Sequence, residues 1–448
     1  MLFSSKKSGK WFVKILYQGK IPSEEECERF ISDKANLNVV NSDGNTALML
    51  SVDRGNLALV KTLTAAGADP NIKNKYNNTA LFYAFFNGWN ANTEAEKVEI
   101  VKTLIAAGAD IQHGCQQNTT ALMLAAKLGN LEIVTLLLEK GADVNIISTD
   151  KKTALLFSVL SKQPNIAVVK LLIEKKADVN ALNEYDETAL HCVLKQDKPD
   201  IALVQYLITA GTDLNIKNKS GDTAIMTAAQ RNQTACVKML LDAGAEANKA
   251  LLLAAGSGAA SSVLVILESG VEINTADEEG KTVLMYAAEH GHAEVVRILL
   301  DKGVDVQAVD NYAKKNALMY TAYTSYANQH DNETVLQLLI DAGIDVNATS
   351  GNPVYTTKVT ALMHAAGRSN AKMVKILINS GADVNCVDSD GSTALIYAAK
   401  TDLVIESTAT TMNLLIEAGA NLDWCNRAGV SARSLATPKR GLEIVLKK

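Results

Sequence analysis

Proline is scarce in this chain, with six residues in 448, and aromatic residues make up only 5%. Strands and their turns draw heavily on aromatic and β-branched residues, so this composition argues against an all-β fold. Cysteine is also sparse. Cys27, Cys115, Cys192, Cys236, Cys386 and Cys425 are scattered, and none forms a C-x-x-C pair. In a chain this long they read as reduced, mostly buried thiols in a reducing, cytoplasmic setting. No run of 18 apolar residues exists, so no transmembrane helix is expected. The apolar stretch from Trp11 to Tyr17 is short and interrupted by Lys14, which makes a poor signal peptide. Excess positive charge is missing too. The net charge is −5, which counts against a duplex-binding surface.

What the chain has is 48% hydrophobic residues, dominated by the small and straight aliphatics that suit close helix packing. It is longer than a single globular core usually grows, so it is either several domains or one repeat array. The charge is uneven. Residues 1–20 hold five lysines and no acid, and residues 427–448 hold six basic residues and one acid, so each end is +5 and the middle is −5 − 5 − 5 = −15.

A tripeptide recurs. Thr-Ala-Leu begins at Thr46, Thr79, Thr120, Thr153, Thr188, Thr360 and Thr393, with variants at Thr223, Thr282 and Asn316. Gly-Ala-Asp or a close relative begins at Gly67, Gly108, Gly141, Lys176, Gly211, Gly244, Gly270, Gly303, Gly343, Gly381 and Gly419. Thr46 to Gly67 is 21 residues and Gly67 to Thr79 is 12, giving a unit of 33. Each unit reads as helix, turn, helix. In the unit at Asp388, Gly391 supplies a turn and Thr393 can cap a helix. Leu395, Ala398 and Ala399 form one apolar face at helical spacing. A second helix carries Met412, Leu414, Leu415 and Ile416 and stops at Gly419. One such pair cannot bury its own apolar face, so stacking is obligatory.

These residues resemble the ankyrin-repeat family. The string from Asp277 to Ala288, then Gly291-His292, Val295-Val296 and Leu299-Leu300, carries the likeness most closely. The resemblance implies an all-α solenoid of helix–turn–helix units with short β-hairpin loops, about 12 repeats. At ~8–10 Å between packed helices, such an array is on the order of 100 Å long. Residues 1–40 read as a degenerate N-terminal capping repeat, 41–423 as the array, and 424–448 as a partial C-terminal capping repeat. In the first of these, Trp11 to Tyr17 would be the first helix and Ser23 the cap of the second. The family's Thr-Pro is Thr-Ala here, with Val283 the exception, so the preorganised φ of proline is lost.

Insertions lengthen the inter-helix loops around Asn90 to Lys97, near Asn328 to Asp331 and between Thr393 and Gly419. The hairpin around Gly351 to Thr357 is long. Gly244 to Gly270 is only 26 residues, so the hairpin near Asn248 to Leu251 is essentially absent. Coupling between units is expected to be weakest there, at a hinge between two semi-rigid halves that a partner clamps; the alternative is degeneration that helix packing tolerates.

No catalytic constellation, phosphate-binding glycine loop or paired-carboxylate motif stands out, so the chain does not read as an enzyme. No cofactor or metal is called for. His290 and His292 are two apart and are expected on different helix faces, which makes them poor metal partners. His113-Gly114-Cys115 is a weak metal hint. His191 and His364 sit in Thr-x-Leu-His or its equivalent, where the family uses histidine structurally. The acids after the repeat glycines, Asp69, Asp110, Asp143, Asp178, Asp213, Glu246, Glu272, Asp305, Asp345 and Asp383, read as a solvated surface or as a face for a basic partner.

In the family, targets lie against hairpin tips and the exposed residues of first helices. The corresponding positions are Tyr76, Tyr185 and Tyr312 on hairpins, and Phe86, Lys127, Gln230, Arg231, Glu289, His290, Tyr323 and Arg368 on first helices. Exposed aromatics and arginine are the usual energetic anchors of interfaces. The resemblance therefore implies a protein-binding scaffold, adaptor or inhibitor, expected to be monomeric. A binder of nucleic acid or a membrane surface through the basic ends is an alternative, and a cryptic enzyme or toxin is another.

Overall fold

All but one of the first helices open where a short polar side chain stands before Ala-Leu or its variant. Thr46 has extended backbone, and its hydroxyl oxygen accepts a hydrogen bond from Met49 N at 3.2 Å. Thr120, Thr282 and Thr360 cap in the same way, through Met123 N, Met285 N and Met363 N. The cap residue's own N–H turns back to the methionine sulfur, at 3.5 Å for Thr46 and 3.4 Å for Thr120. Sulfur is a weak acceptor, so this is a softer form of the reciprocal capping box. Where Asn316 replaces threonine, its side-chain oxygen accepts from Met319 N at 3.1 Å. A cap of this kind is worth about 1 kcal/mol. Several second helices open on asparagine or aspartate. Asn56, Asn130 and Asn370 accept from the N–H three residues on, and Asp200 accepts from Ala202 N and Leu203 N.

The chain is described by a computed structural model over residues 13–18, 31, 36–86, 93–323, 331–351, 357–401 and 405–436, leaving aside the side chains of Phe86 and Ile405. Within these residues a short helix over 13–17 comes first, then antiparallel helix pairs, eleven in number, and last a lone helix Ala432–Ala436. They divide into two compact units, 1–222 and 223–448. The first holds five pairs, from Ala47–Asp53 with Leu57–Ala65 to Ala189–Leu194 with Ile201–Thr209. The second holds six. Its pairs include Ala224–Gln230 with Thr234–Asp242, Asn248–Gly256 with Ala260–Glu268, Val283–Glu289 with Ala293–Asp301, Ala317–Tyr323 with Asn332–Asp341, and Ala361–Gly367 with Ala371–Asn379. Within each unit, first helices pack on first helices and second on second. The core between them is the Ala-Leu face of the first helix against Val and Leu of the second. Leu284, Ala287, Ala288, Val295, Val296 and Leu299 are all sealed from solvent.

The loops form fewer strands than the family pattern implies. The described residues contain three isolated bridges, Val40 with Thr46, Ala276 with Thr282, and Cys425 with Ser431. Side chains do the closing instead. Asn74 Oδ1 accepts from Tyr76 N and Asn78 N, both at 2.9 Å. Asn183, Asn218, Asp277, Asp388 and Asn426 close their loops with the same pair of bonds. Such local bonds suit turns better than ladders. Successive loops then join through the backbone, as in Lys75 N to Asp43 O at 3.0 Å and Asn311 N to Glu279 O at 2.8 Å.

The acids after the repeat glycines also have a structural task. Asp69 Oδ1 accepts from Asn71 N at 2.8 Å, while Asp69 N donates to Asn38 of the preceding repeat. Asp110, Asp143, Asp178, Asp213, Asp305, Asp345 and Asp383 repeat both bonds. Much of the acidity of the middle is therefore fold chemistry on an exposed edge.

One sequence expectation changes here. The insertions before Glu94–Ala106 and Ile405–Glu417 do not end as loop; these second helices reach 13 residues where their neighbours have nine. Thr93 caps the first of them in a full box with Glu96, so part of the inserted chain becomes a helical turn. The truncated seventh unit is likewise well packed. Helix Asn248–Gly256 has no side-chain cap at Ala247, yet Ala250, Leu251, Ala254 and Ala255 are wholly buried. It packs on Ala224–Gln230 and on Val283–Glu289. The loss is confined to the loop. At the chain's start, Val13 and Leu16 are buried, while Trp11, Ser23 and Cys27 lie outside the described residues.

Candidate interaction surface

The loops and the first helices place the anticipated residues as follows. Tyr76, Tyr185 and Tyr312 stand exposed on their loops, Tyr312 most of all at 69%. Two further loops lie between those of Tyr76 and Tyr185, so these tyrosines do not share one patch. The Phe86 side chain falls outside the described residues. Lys127 is exposed in the last turn of Ala121–Leu128, where a cation suits the helix dipole. Gln230 ends its helix, and Arg231, His290 and Arg368 are the residues just past a helix end.

In the second unit the structure gathers several of these residues with others that sequence reading passed over. Lys281 precedes Thr282 and extends along helix Val283–Glu289. Its ammonium lies 4.3 Å from the centre of the Tyr286 ring and 4.8 Å from that of Tyr320, and it is ion-paired with Glu289. Lys315 precedes Asn316 in the same way. Its ammonium lies 5.8 Å from the Tyr320 ring centre and 4.7 Å from that of Tyr323. The Arg368 guanidinium lies 4.6 Å from the Tyr323 ring centre. The His364 ring meets Tyr323 edge-on, with centres 5.3 Å apart. Cations over aromatic faces contribute about 0.5–2 kcal/mol each, more when desolvated.

The tyrosines are fastened to the loops. Tyr286 OH donates to Asp277 Oδ2 at 2.8 Å, Tyr320 OH to Asp310 Oδ2 at 3.0 Å, and Tyr397 OH to Asp388 Oδ2 at 2.8 Å. Burial and the adjacent carboxylate push the Tyr286 phenol up to about 12, and raise Tyr320 and Tyr397 as well. In the first unit Tyr83 fills the same slot and bonds Asn45 and Asn74. These tyrosines recur four residues after the cap, and the lysines one residue before it. That double recurrence was readable in the sequence, because it has the period of the repeat.

The histidines are structural. His191 is buried in its capping box, with Nδ1 2.9 Å from Thr188 Oγ1 and Nε2 3.2 Å from Asp222 O, and burial lowers its pKa. His364 sits one residue further from its cap, in the tyrosine slot, so the two are not equivalent. Burial, with Lys315 and Arg368 beside it, lowers His364 to about 4. His290 and His292 do not point to different faces; their rings stack with centres 6.1 Å apart and planes 9° from parallel. The helix ends at Glu289 and Gly291 takes a left-handed φ of 72°, which turns the second ring back onto the first. Each ring has a backbone carbonyl partner, Tyr286 O for His290 and Gly256 O for His292. His113 Nε2 meets Asn77 O at 2.9 Å. Among the described residues no three His, Cys, Asp or Glu side chains group to hold a metal.

Cys115, Cys192 and Cys236 are free and buried, and burial raises all three thiols, Cys192 to about 12. A cavity of about 510 Å³ opens beside Ala84, Phe85 and Leu131, rimmed by Glu94, Lys97 and Glu132. Among the described residues no helix is long and apolar enough to cross a membrane.

With the stacked helix pairs, the capped loops and their exposed aromatics in place, comparison with known families gives one consistent result. A family model described as ankyrin repeats (3 copies) matches residues 7–113, 90–183, 159–250, 251–350 and 324–424. The chain belongs to the ankyrin-repeat family. Members of that family are generally protein–protein interaction modules and are typically not enzymes.

Proposed function

We propose that this chain is a scaffold, adaptor or inhibitor that binds another protein through its loop tips and first-helix ends. The observation that carries the reading is the Tyr323 cluster. There an aromatic ring 47% exposed is held between Lys315 and Arg368, within one repeat of the exposed Tyr312. Large rings that are fixed in place lose little entropy on binding, which is what an interface anchor requires. The second helices offer a poorer surface, since Val295, Val296 and Leu299 turn inward and Glu294, Arg297 and Lys302 are left to water.

The test is photo-crosslinking from defined positions. A crosslinking residue at Tyr312 is compared with one at Lys375, an exposed position on a second helix. In native lysate the Tyr312 position should capture a discrete protein and the Lys375 position should not. Equal capture from both positions, or capture from Lys375 alone, refutes the proposed face.

A further inference from the structure

The same two positions compared across three first helices show what makes Lys315 unusual. The residue before the cap and the residue eight further on face each other along the first helix. In the unit capped by Thr188 they are Glu187 and Lys195, which form an ion pair. In the unit capped by Thr282 they are Lys281 and Glu289, again an ion pair. In the unit capped by Asn316 they are Lys315 and Tyr323. The acid is replaced by a ring. Lys152, which also precedes its cap, finds Asp150.

Lys315 and Arg368 have no carboxylate partner among the described residues. The nearest candidate on the same loop is Asp310, and it is spent. It accepts from Ala313 N at 2.6 Å, Lys315 N at 3.3 Å and Tyr320 OH at 3.0 Å, and it is 2% exposed. Residues 324–330 and 352–356, the neighbouring stretches of sequence, contain no Asp or Glu. Lys314 and Lys358 are exposed nearby in the sequence of the same two loops. The patch is thus cationic in a chain of net charge −5. Its neighbour His364 adds a buried ring nitrogen, Nε2, with no hydrogen-bond partner.

We propose that Lys315 and Arg368, mounted on Tyr323, receive the carboxylates of an acidic peptide segment of the partner protein. The proposal rests on the protein-binding reading above and names the chemistry of its partner. Arg368 supplies a planar fork for a carboxylate, Lys315 a second charge, and the Tyr323 ring a wall that keeps both extended. Glu289 does internally, one repeat earlier, what the partner's acid does here.

The experiment is a binding array of immobilised dodecapeptides. Each carries one leucine and one phenylalanine on a neutral background, and the number of Asp and Glu residues rises across the series. The labelled full chain is applied at low ionic strength. Binding should climb with acid content and fall by about tenfold or more with the Lys315→Met, Arg368→Gln double variant. Tyr323→Glu should lose binding as well, because it gives Lys315 an internal acid as Lys281 has. Tyr323→Phe should retain it. Lys400→Met, outside the patch, should change nothing. Thermal melts check that every variant folds. Binding that ignores acid content, or that survives both the double variant and Tyr323→Glu, overturns the proposal. So does a single-stranded oligonucleotide that binds the chain more tightly than the acidic peptides. If crosslinking from Tyr312 still captures a protein in that case, the protein-binding reading stands and only the acidic-segment assignment falls.

Discussion

Lys176 occupies a position that ten of the eleven repeats give to glycine, and changing it to glycine should stabilise the protein. The second residue after the second helix adopts a left-handed φ throughout the described repeats. It is 88° at Gly141, 89° at Gly211, and 70° at Lys176. For an L-residue with a Cβ this conformation costs about 1–2 kcal/mol. Glycine pays no such cost but loses about 0.4–1 kcal/mol through its freer unfolded chain. Lys176→Gly should therefore gain about 0.5–1 kcal/mol. Side-chain losses are small, because Lys176 is exposed, and its C=O, which accepts from Asn145 Nδ2 at 3.0 Å, is kept. The mirror change, Gly141→Lys, should cost a similar amount, since a Cβ at Gly141 meets nothing within 4 Å and only the backbone is strained. Urea denaturation of both variants, with the slope held in common, reads the difference. A destabilised Lys176→Gly protein would refute the argument, for it would show that the lysine side chain outweighs the backbone.

Three further outcomes follow from the structure. Gly258→Ala should cost about 2–3 kcal/mol in the same assay, because its Cβ would lie 2.6 Å from His292 Nδ1 at a φ of 74° and would dislodge the bond to Gly256 O; a loss below about 0.5 kcal/mol would mean the ring moves freely. His364 is depressed from 6.5 to about 4, so the unfolded state takes its proton first and stability present above pH 6.5 is lost as pH falls toward 4. At about 1.4 kcal/mol per unit this comes to about 3 kcal/mol, and His364→Gln should flatten the pH dependence over that window; parallel curves for the two proteins would exclude it. Tyr185→Ala and Tyr312→Ala should each leave the melting temperature nearly unchanged, both side chains being exposed, and should weaken binding to a captured partner by roughly 1–2 kcal/mol wherever the ring is an anchor.

The helices were legible in the sequence because cap, apolar face and closing glycine recur with one period. Tyr76, Tyr185 and Tyr312 were legible as exposed because turn geometry points their side chains outward. The rest depended on geometry that sequence distance hides. His290 and His292 stack because a helix ends one residue before the first of them, and a helical wheel carried past that end gives the wrong faces. The inserted residues before Glu94–Ala106 read as loop because helix extension turns on a single cap, Thr93 with Glu96. The Lys281–Tyr320 and Arg368–Tyr323 contacts join residues 39 and 45 apart, in adjacent repeats. Only the stacking of first helix on first helix brings them together. Asp69 and its counterparts looked like free surface charge although each carboxylate accepts from an N–H only two residues on; the bond that sequence distance hides is the one from the acid's own N–H to a side chain of the preceding repeat.

The claim that loop tips and first-helix ends are the binding face meets its most direct test in hydrogen exchange on the full chain, free and bound to the protein captured through Tyr312. The account predicts that binding slows exchange in the loops and helix ends around 310–323 and 357–368, with little change in second helices such as Ala293–Asp301 and Ala371–Asn379. Slowing confined to those second helices, with the loops unchanged, would contradict it.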